Sequence, residues 1–326
     1  MMDKPILIEE PDAPETFYNI CCGIDVHQKS VVACLLRTNK KKEIRKYATN
    51  TKQLKALAQW LLDEHCEMIA MESTGIYWRP LYNIFEQYQL KAILVNAAHM
   101  RNVPGRKSDI GDAQWIAKLL KQGLLKANYI PSREQREIRD LTRYRKNLVE
   151  EKSREVNRLQ KLLESANIKL GTQLSDINGK TSRWLIECKL AGKVPSEEEL
   201  QEQLPTQRMR DHADEIAQSL EGELSEAQKI LIQQILKRID AADEDIKQLS
   251  AAIEMLTAKE AALKKALTEI PGIGKTSAEI ILAEIGTDME AFATSEQLTS
   301  WAGVSPTKNE SAGKKKPSRP EKGTNC

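Results

Sequence analysis

Between Ile232 and Leu267 apolar residues recur at alternating steps of three and four. They are Ile232, Ile235, Ile239, Ala242, Ile246, Leu249, Ile253, Leu256, Leu263 and Leu267, with Glu260 alone interrupting the series. A period of 3.5 keeps these side chains on one stripe of a helix, and so long a stripe needs another helix to lie against. The pattern predicts a coiled coil or helical hairpin, acting as a spacer or dimerisation arm. A less regular partner runs through Ile138, Leu141, Leu148, Leu159 and Leu162. Residues 170–224 mix helical and loop signals and yield no firm assignment.

The stretch before this arm has a different grain. Asn19–Asp25 is a short apolar run ending on an acid, Ser30–Leu36 is a second strand, and Glu43–Ala48 makes a third. Thr51–Asp63 has helical spacing, with Leu54, Leu57, Ala58, Leu61 and Leu62 on one side. Cys66–Met71 is another strand, leading into Glu72. Tyr77–Tyr88 reads as a helix, Lys91–Val95 as a strand, and Asp109–Leu120 as a helix capped by Ser108. Such an order predicts a mixed sheet covered by helices. No Gly-x-Gly-x-x-Gly follows the first strand, so a dinucleotide fold is excluded.

The expected class is therefore α/β plus α, with residues 1–17 a flexible tail, 18–130 the sheet domain, 131–266 the helical arm and 267–326 a small helical domain. Aromatic residues are few and charged ones plentiful, which favours long solvated helices over a β-sandwich. The formal net charge of +2 does not announce a nucleic-acid partner, but Lys308–Lys322 carries six basic against two acidic residues. The six cysteines show no Cys-x-x-Cys spacing and do not cluster with the histidines, against a zinc site or disulfide framework. No apolar run has the length of a membrane span, and the acidic, Pro-containing start is unlike a secretory signal. A cytoplasmic protein is expected.

The acids carry the chemistry. Asp25 and Glu72 each stand where an apolar strand ends and a side chain can meet solvent. Asp109 and Asp112 lie three apart at a helix start, on one face. A helix dipole explains acids in a first turn, and any one of the four has such a structural explanation. Four together, two of them ending buried strands, point to a magnesium site, because that ion takes oxygen ligands. Pro271-Gly-Ile-Gly274 fits a helix-hairpin-helix, whose turn lets backbone N–H groups approach a phosphate, with Gly272, Gly274 and Lys275 in contact. An ordinary corner between helices explains it as well. Gly274-Lys-Thr276 is no P-loop, since Glu269 stands where a glycine is required. Tyr77 and Trp78 are assigned to packing rather than base stacking, and His27 to neither metal nor phosphate.

Three segments, Gly23-Ile-Asp-Val-His-Gln-Lys29, Met71-Glu-Ser-Thr-Gly-Ile-Tyr77 and Arg106-Lys-Ser-Asp-Ile-Gly-Asp-Ala-Gln114, resemble the DEDD transposases of bacterial insertion sequences, the insertion sequence 110 family. Ile270–Gly274 and Trp301–Ser311 extend the likeness over nearly the whole chain. The resemblance implies a RuvC-like, RNase-H-type domain, a coiled-coil middle and a C-terminal transposase domain. It implies that Asp25, Glu72, Asp109 and Asp112 are the family's acidic set holding Mg2+, and that Ser311 is a serine nucleophile for DNA. Read without it, Ser311 is a serine in a polar loop. Lys308, Lys314, Lys315 and Lys316 around it suit a phosphate-rich partner, although basic tails are commonly solvated. The resemblance further implies a guide (bridge) RNA, assembly as a dimer or tetramer, and no membrane. Family members continue into further helices where this sequence reads Glu321-Lys-Gly-Thr-Asn-Cys326, so a shortened C-terminal domain is expected. Two rival readings stand beside this one: a structure-selective DNA nuclease with water as nucleophile, and a catalytically silent nucleic-acid-binding remnant.

Overall fold

The computed structural model describes residues 17–38, 41–72, 75–95, 109–125, 127–292, 294–304, 310–311 and 314–315, with only the backbone described at 109, 110, 310, 311, 314 and 315. Ser108 and the flexible tail assigned to 1–17, apart from Phe17, lie outside these residues. The chain divides into two compact units, Met1–Arg133 and Glu134–Cys326. Among the described residues no helix is long and apolar enough to cross a membrane.

In the first unit five strands form one sheet: β1 (Ile20–Val26), β2 (Ser30–Arg37), β3 (Glu43–Ala48), β4 (Met68–Glu72) and β5 (Ala92–Val95). Their order is β3-β2-β1-β4-β5. The first three form an antiparallel meander, while β4 pairs parallel to β1 and β5 parallel to β4. Parallel neighbours need crossover connections. Helix α1 (Thr51–Asp63) lies between β3 and β4, and α2 (Trp78–Gln87) between β4 and β5. Asn50 caps α1 by accepting a hydrogen bond from the Gln53 N–H. The side chains of α1 and α2 cover one face, where Leu57, Leu61, Leu81 and Phe85 pack on Cys22, Ile24, Ile69 and Met71. Trp78 joins this core and meets Tyr82 edge-on.

The other face is covered by α3 (Asp109–Lys121). Ile116 and Leu120 pack on Cys21 and Ala70, while Ala113 and Ala117 pack on Val32 and Cys34. Contact is closest at Gly23, where a Cβ would stand 2.2 Å from the Ala117 nitrogen and 2.3 Å from the Ala113 oxygen. Only a residue without a side chain allows two backbones this close. Cys21 belongs to this core and Cys66 is partly buried on the opposite face; burial pushes both thiols up to about 12, where they remain protonated and unreactive.

The second unit is helical up to Gly303. Helix α4 (Arg133–Ser165) carries the chain out, and five short helices follow: α5 (Leu170–Gln173), α6 (Lys180–Leu190), α7 (Glu197–Gln203), α8 (Gln207–Asp211) and α9 (Ala213–Gln218). Helix α10 (Glu226–Leu256) returns along α4. Side-chain pairs fix their antiparallel register: Arg145 with Ser250, Lys152 with Asp243, Arg238 with Glu155 and Gln228 with Ser165. A capping box of Ser225 and Gln228 starts α10. The short helices, unassigned from sequence, build a core with the paired ends of this hairpin. There Leu170, Leu185, Ile186, Leu204 and Ile216 meet Leu159, Leu163, Ile232 and Ile239.

The heptad pattern requires one correction. Apolar spacing predicts a continuous stripe to Leu267, but α10 stops at Leu256 and a turn of 3-10 helix covers Ala258–Glu260. The Thr257 hydroxyl donates to the Ile253 carbonyl and accepts from the buried Lys264 ammonium at 3.0 Å, which fastens the break. Beyond it stand α11 (Ala261–Thr268), α12 (Lys275–Ile285) and α13 (Ser295–Trp301), then the paired two-residue strands β6 (Glu310–Ser311) and β7 (Lys314–Lys315).

Helix α12 is bound to α4 by ion pairs. Arg145 meets Glu279 at 2.7 Å with the two side chains only 5% and 2% exposed. The Arg143 guanidinium holds both Glu284 oxygens, at 2.6 and 2.7 Å. Arg139 donates to the Ala283 and Glu284 carbonyls at the C-terminal end of α12, where a cation also suits the helix dipole.

Two outcomes follow. Gly23→Ala forces α3 off the sheet and destabilises the first unit by about 3 kcal/mol or more, the upper range for overpacking, in urea unfolding. Glu279→Ala leaves Arg145 charged and buried, costing about 3–5 kcal/mol. Replacing both Arg145 and Glu279 by methionine restores most of that loss, and full additivity of the single losses contradicts the pairing.

Candidate nuclease site

Strand alternation decides where the acids point. Cys21, Gly23 and, by the same period, Asp25 face α3, while Cys22, Ile24 and Val26 face α1 and α2. On β4, Ala70 packs under α3, and Glu72 follows two residues later on the same side. The parallel register pairs Gly23 with Ala70 and Ile24 with Met71, so Asp25 and Glu72 stand at the next step, side by side. Both lie at the C-terminal ends of their strands.

Helix α3 runs antiparallel to β1. The Phe17 N–H donates to the Lys121 carbonyl at 3.0 Å, the Cys21 thiol approaches the Ala117 carbonyl at 3.7 Å, and Gly23 touches Ala113. Two further strand residues advance roughly 6.6 Å and four helical residues about 6 Å. Asp25 therefore comes level with Asp109 at the first turn of α3. The positive end of the helix dipole is thus at the acid end of the sheet. Asp112, one residue before the buried Ala113, is exposed, whereas Glu72 is half-buried. The side chain of Asp109 lies outside the described residues.

Asp25 is 5% exposed, and its Oδ2 lies 3.0 Å from Nε2 of His27. Sequence alone assigns His27 no role. Its signal was the spacing: Asp25 and His27 are two apart at a strand end and so lie on one side. Among the described residues no three His, Cys, Asp or Glu side chains stand close enough together to hold a metal. The structure thus brings Asp25, Glu72 and the first turn of α3 to one end of one sheet face. Oxygen donors at such a place suit a hard divalent ion.

The second unit carries the other residues singled out from sequence. Gly272 has φ +89°, a left-handed conformation that favours glycine, and Gly274 is the extended N-cap of α12. The turn thus joins α11 to α12, and the first residues of α12, Lys275–Ser277, are exposed. Lys275, expected to contact DNA, pairs with Glu254 at 2.5 Å and remains largely exposed. Ser311, read from sequence as a loop residue, has the backbone of a two-residue strand whose register sets it opposite Lys314, with Glu310 opposite Lys315. Lys308 and Lys316 lie outside the described residues.

Comparison with known proteins places the chain. The family profile described as Transposase, of the DEDD IS110 type, matches residues 22–168. The profile described as Transposase IS116/IS110/IS902 family matches residues 264–325. No curated protein matches the chain. Among solved structures it is similar to Thermus thermophilus RuvC in complex with a Holliday junction substrate, at 12% identity and a TM-score of 0.26, over 34% of this chain and 100% of that one. It is also similar to Thermus thermophilus RuvC alone, at 12% identity and a TM-score of 0.25, over 33% and 99%. With the two profiles in their expected order along the chain, the chain belongs to the IS116/IS110/IS902 family of transposases.

Proposed function

We propose that this transposase cuts and rejoins DNA, with Asp25, Glu72, Asp109 and Asp112 as the carboxylates that hold magnesium. One observation supports the reading most: Asp25 and Glu72 leave adjacent parallel strands on the face covered by α3, whose first turn carries the other two acids to the same end. Bound there, the ion would supply charge stabilisation for a phosphodiester oxygen as its bond to phosphorus breaks. The protein's own contribution is placement. The sheet fixes two acids, the Gly23 contact fixes the helix, and His27 stands 3.0 Å from the Asp25 carboxylate. The dipole at the α3 N-terminus adds attraction for a phosphate.

Ser311 is the proposed nucleophile. Its oxygen forms a bond to phosphorus while one backbone P–O bond breaks, and the serine proton passes to the departing deoxyribose oxygen. The reverse step, from another DNA end, releases the serine. Support comes from the family match over residues 264–325 and from the register that sets Lys314 beside Ser311. Lys308, Lys315 and Lys316, with the turn at Gly272, Gly274 and Lys275, would bind the DNA backbone without reading sequence. A guide RNA and a homo-oligomer, by family membership, and a cytoplasmic setting, by the cysteine usage, complete the reading.

Asp25→Asn is expected to lower magnesium-dependent cleavage of labelled DNA at least about a hundred-fold, the scale for losing a group at a reacting centre, with an unchanged thermal midpoint. Ser311→Ala is expected to abolish the covalent protein–DNA adduct recovered after denaturation. Cleavage by Ser311→Ala at the parent rate, with no adduct in either protein, assigns the attack to water instead.

A further inference from the structure

The edge strand β3 presents different chemistry on its two faces. Toward α1 and α2, the arginines of β2 and β3 both have partners. Arg37 lies 2.7 Å from both Glu43 and Glu64. Arg45 pairs with Glu43 at 2.7 Å and stacks 4.3 Å from the ring centroid of Trp60. Toward α3 the cations include Lys46 on β3, Lys42 just before it, and Lys118 on α3. Lys46 is in register with Val32, which packs under α3. The Lys42 ammonium donates to the neutral Gln114 amide oxygen of α3 at 2.8 Å. Lys118 stands one helical turn after Gln114 and so on the side of α3 that Lys42 reaches. All three are exposed, and none has a carboxylate partner among the described residues.

This strip adjoins the acids. Asp25 pairs with Val32 and Val32 with Lys46, so one row across the sheet runs from Glu72 through Asp25 to Lys46. At about 4.8 Å per strand, Lys46 lies roughly 10 Å from Asp25. Four residues of strand extend the row to Lys42, about 13 Å away. Edge lysines commonly guard a sheet against pairing with another edge. That role needs no particular face and no lysine on a helix, whereas here the free charges share one face with the acids and include Lys118.

We infer that Lys42, Lys46 and Lys118 form a DNA backbone track leading to the acid end of the sheet, contacting about three phosphates without regard to sequence. The inference rests on the proposed role of the acids and extends it to how substrate is held. Cations beside a carboxylate cluster would offset its repulsion of a polyanion and set the strand's direction across the sheet.

The test is salt-dependent binding of the full chain to a labelled DNA duplex, in the Asp25→Asn background so that DNA stays intact. Replacing Lys42, Lys46 and Lys118 by alanine is expected to flatten the slope of log Kd against log salt by roughly two to three, as loss of three phosphate contacts requires. Unrelated duplexes should weaken equally, and the corresponding triple arginine variant should keep the parental slope. A parental slope in the alanine variant overturns the inference, as does flattening seen with a structured RNA but not with DNA. The outcome is separable from that of the acid site. Loss of cleavage in Asp25→Asn without flattening leaves the acids standing and removes the track, while flattening supports the track whatever Asp25→Asn does to cleavage.

Discussion

The contact between Gly23 and helix α3 governs the arrangement of the first unit. A strand usually keeps a helix at a distance set by its side chains, and here one side chain is missing at the point of closest approach. The helix settles until its Ala113 and Ala117 backbone meets β1. That depth fixes which residues of α3 reach the end of the sheet, and it levels the first turn with Asp25. Small residues at 113 and 117 are the other half of the same constraint, since larger ones would lift the helix again.

Electrostatics in the second unit has a different task. A buried ion pair contributes little net stability, because desolvation offsets most of its attraction. What it does well is reject alternatives. Arg145, buried at one point of α4, tolerates only a position of α12 that delivers Glu279. The two-pronged Arg143–Glu284 contact fixes rotation about the helix axis as well. The helices after the Thr257 break are thereby held in one register on the arm, although the apolar stripe that predicts a longer helix has ended.

Much of this was legible in the sequence, and the limits have physical causes. The strands and α1 were readable because period-2 and period-3.6 patterns are local. Asp25 and Glu72 stood out because each ends a run that must be buried, and Asp109 and Asp112 because they lie three apart at a helix start. The meaning of Gly23 was not readable, although a glycine within a strand often marks a close backbone approach, because its partner lies ninety residues away. Residues 170–224 resisted assignment since four of their five helices have seven residues or fewer and bury two residues at most, such as Leu170 in α5 and Leu200 in α7. The break at Thr257 was hidden because apolar spacing continues past it, and the deciding contact is a buried lysine. The track on β3 was invisible for another reason: whether a lysine is neutralised depends on which face it shares with which acids.

The central claim is that acids from β1, β4 and the start of α3 surround one divalent ion, and iron-mediated affinity cleavage tests it most directly. Fe2+ replaces magnesium, ascorbate and peroxide generate radicals at the ion, and the protein fragments are mapped by mass. The account predicts scission near residues 25, 72 and 109–112 together, suppressed by excess magnesium and lost in Asp25→Asn. Scission elsewhere, or at only one of these segments with no response to magnesium, would contradict it.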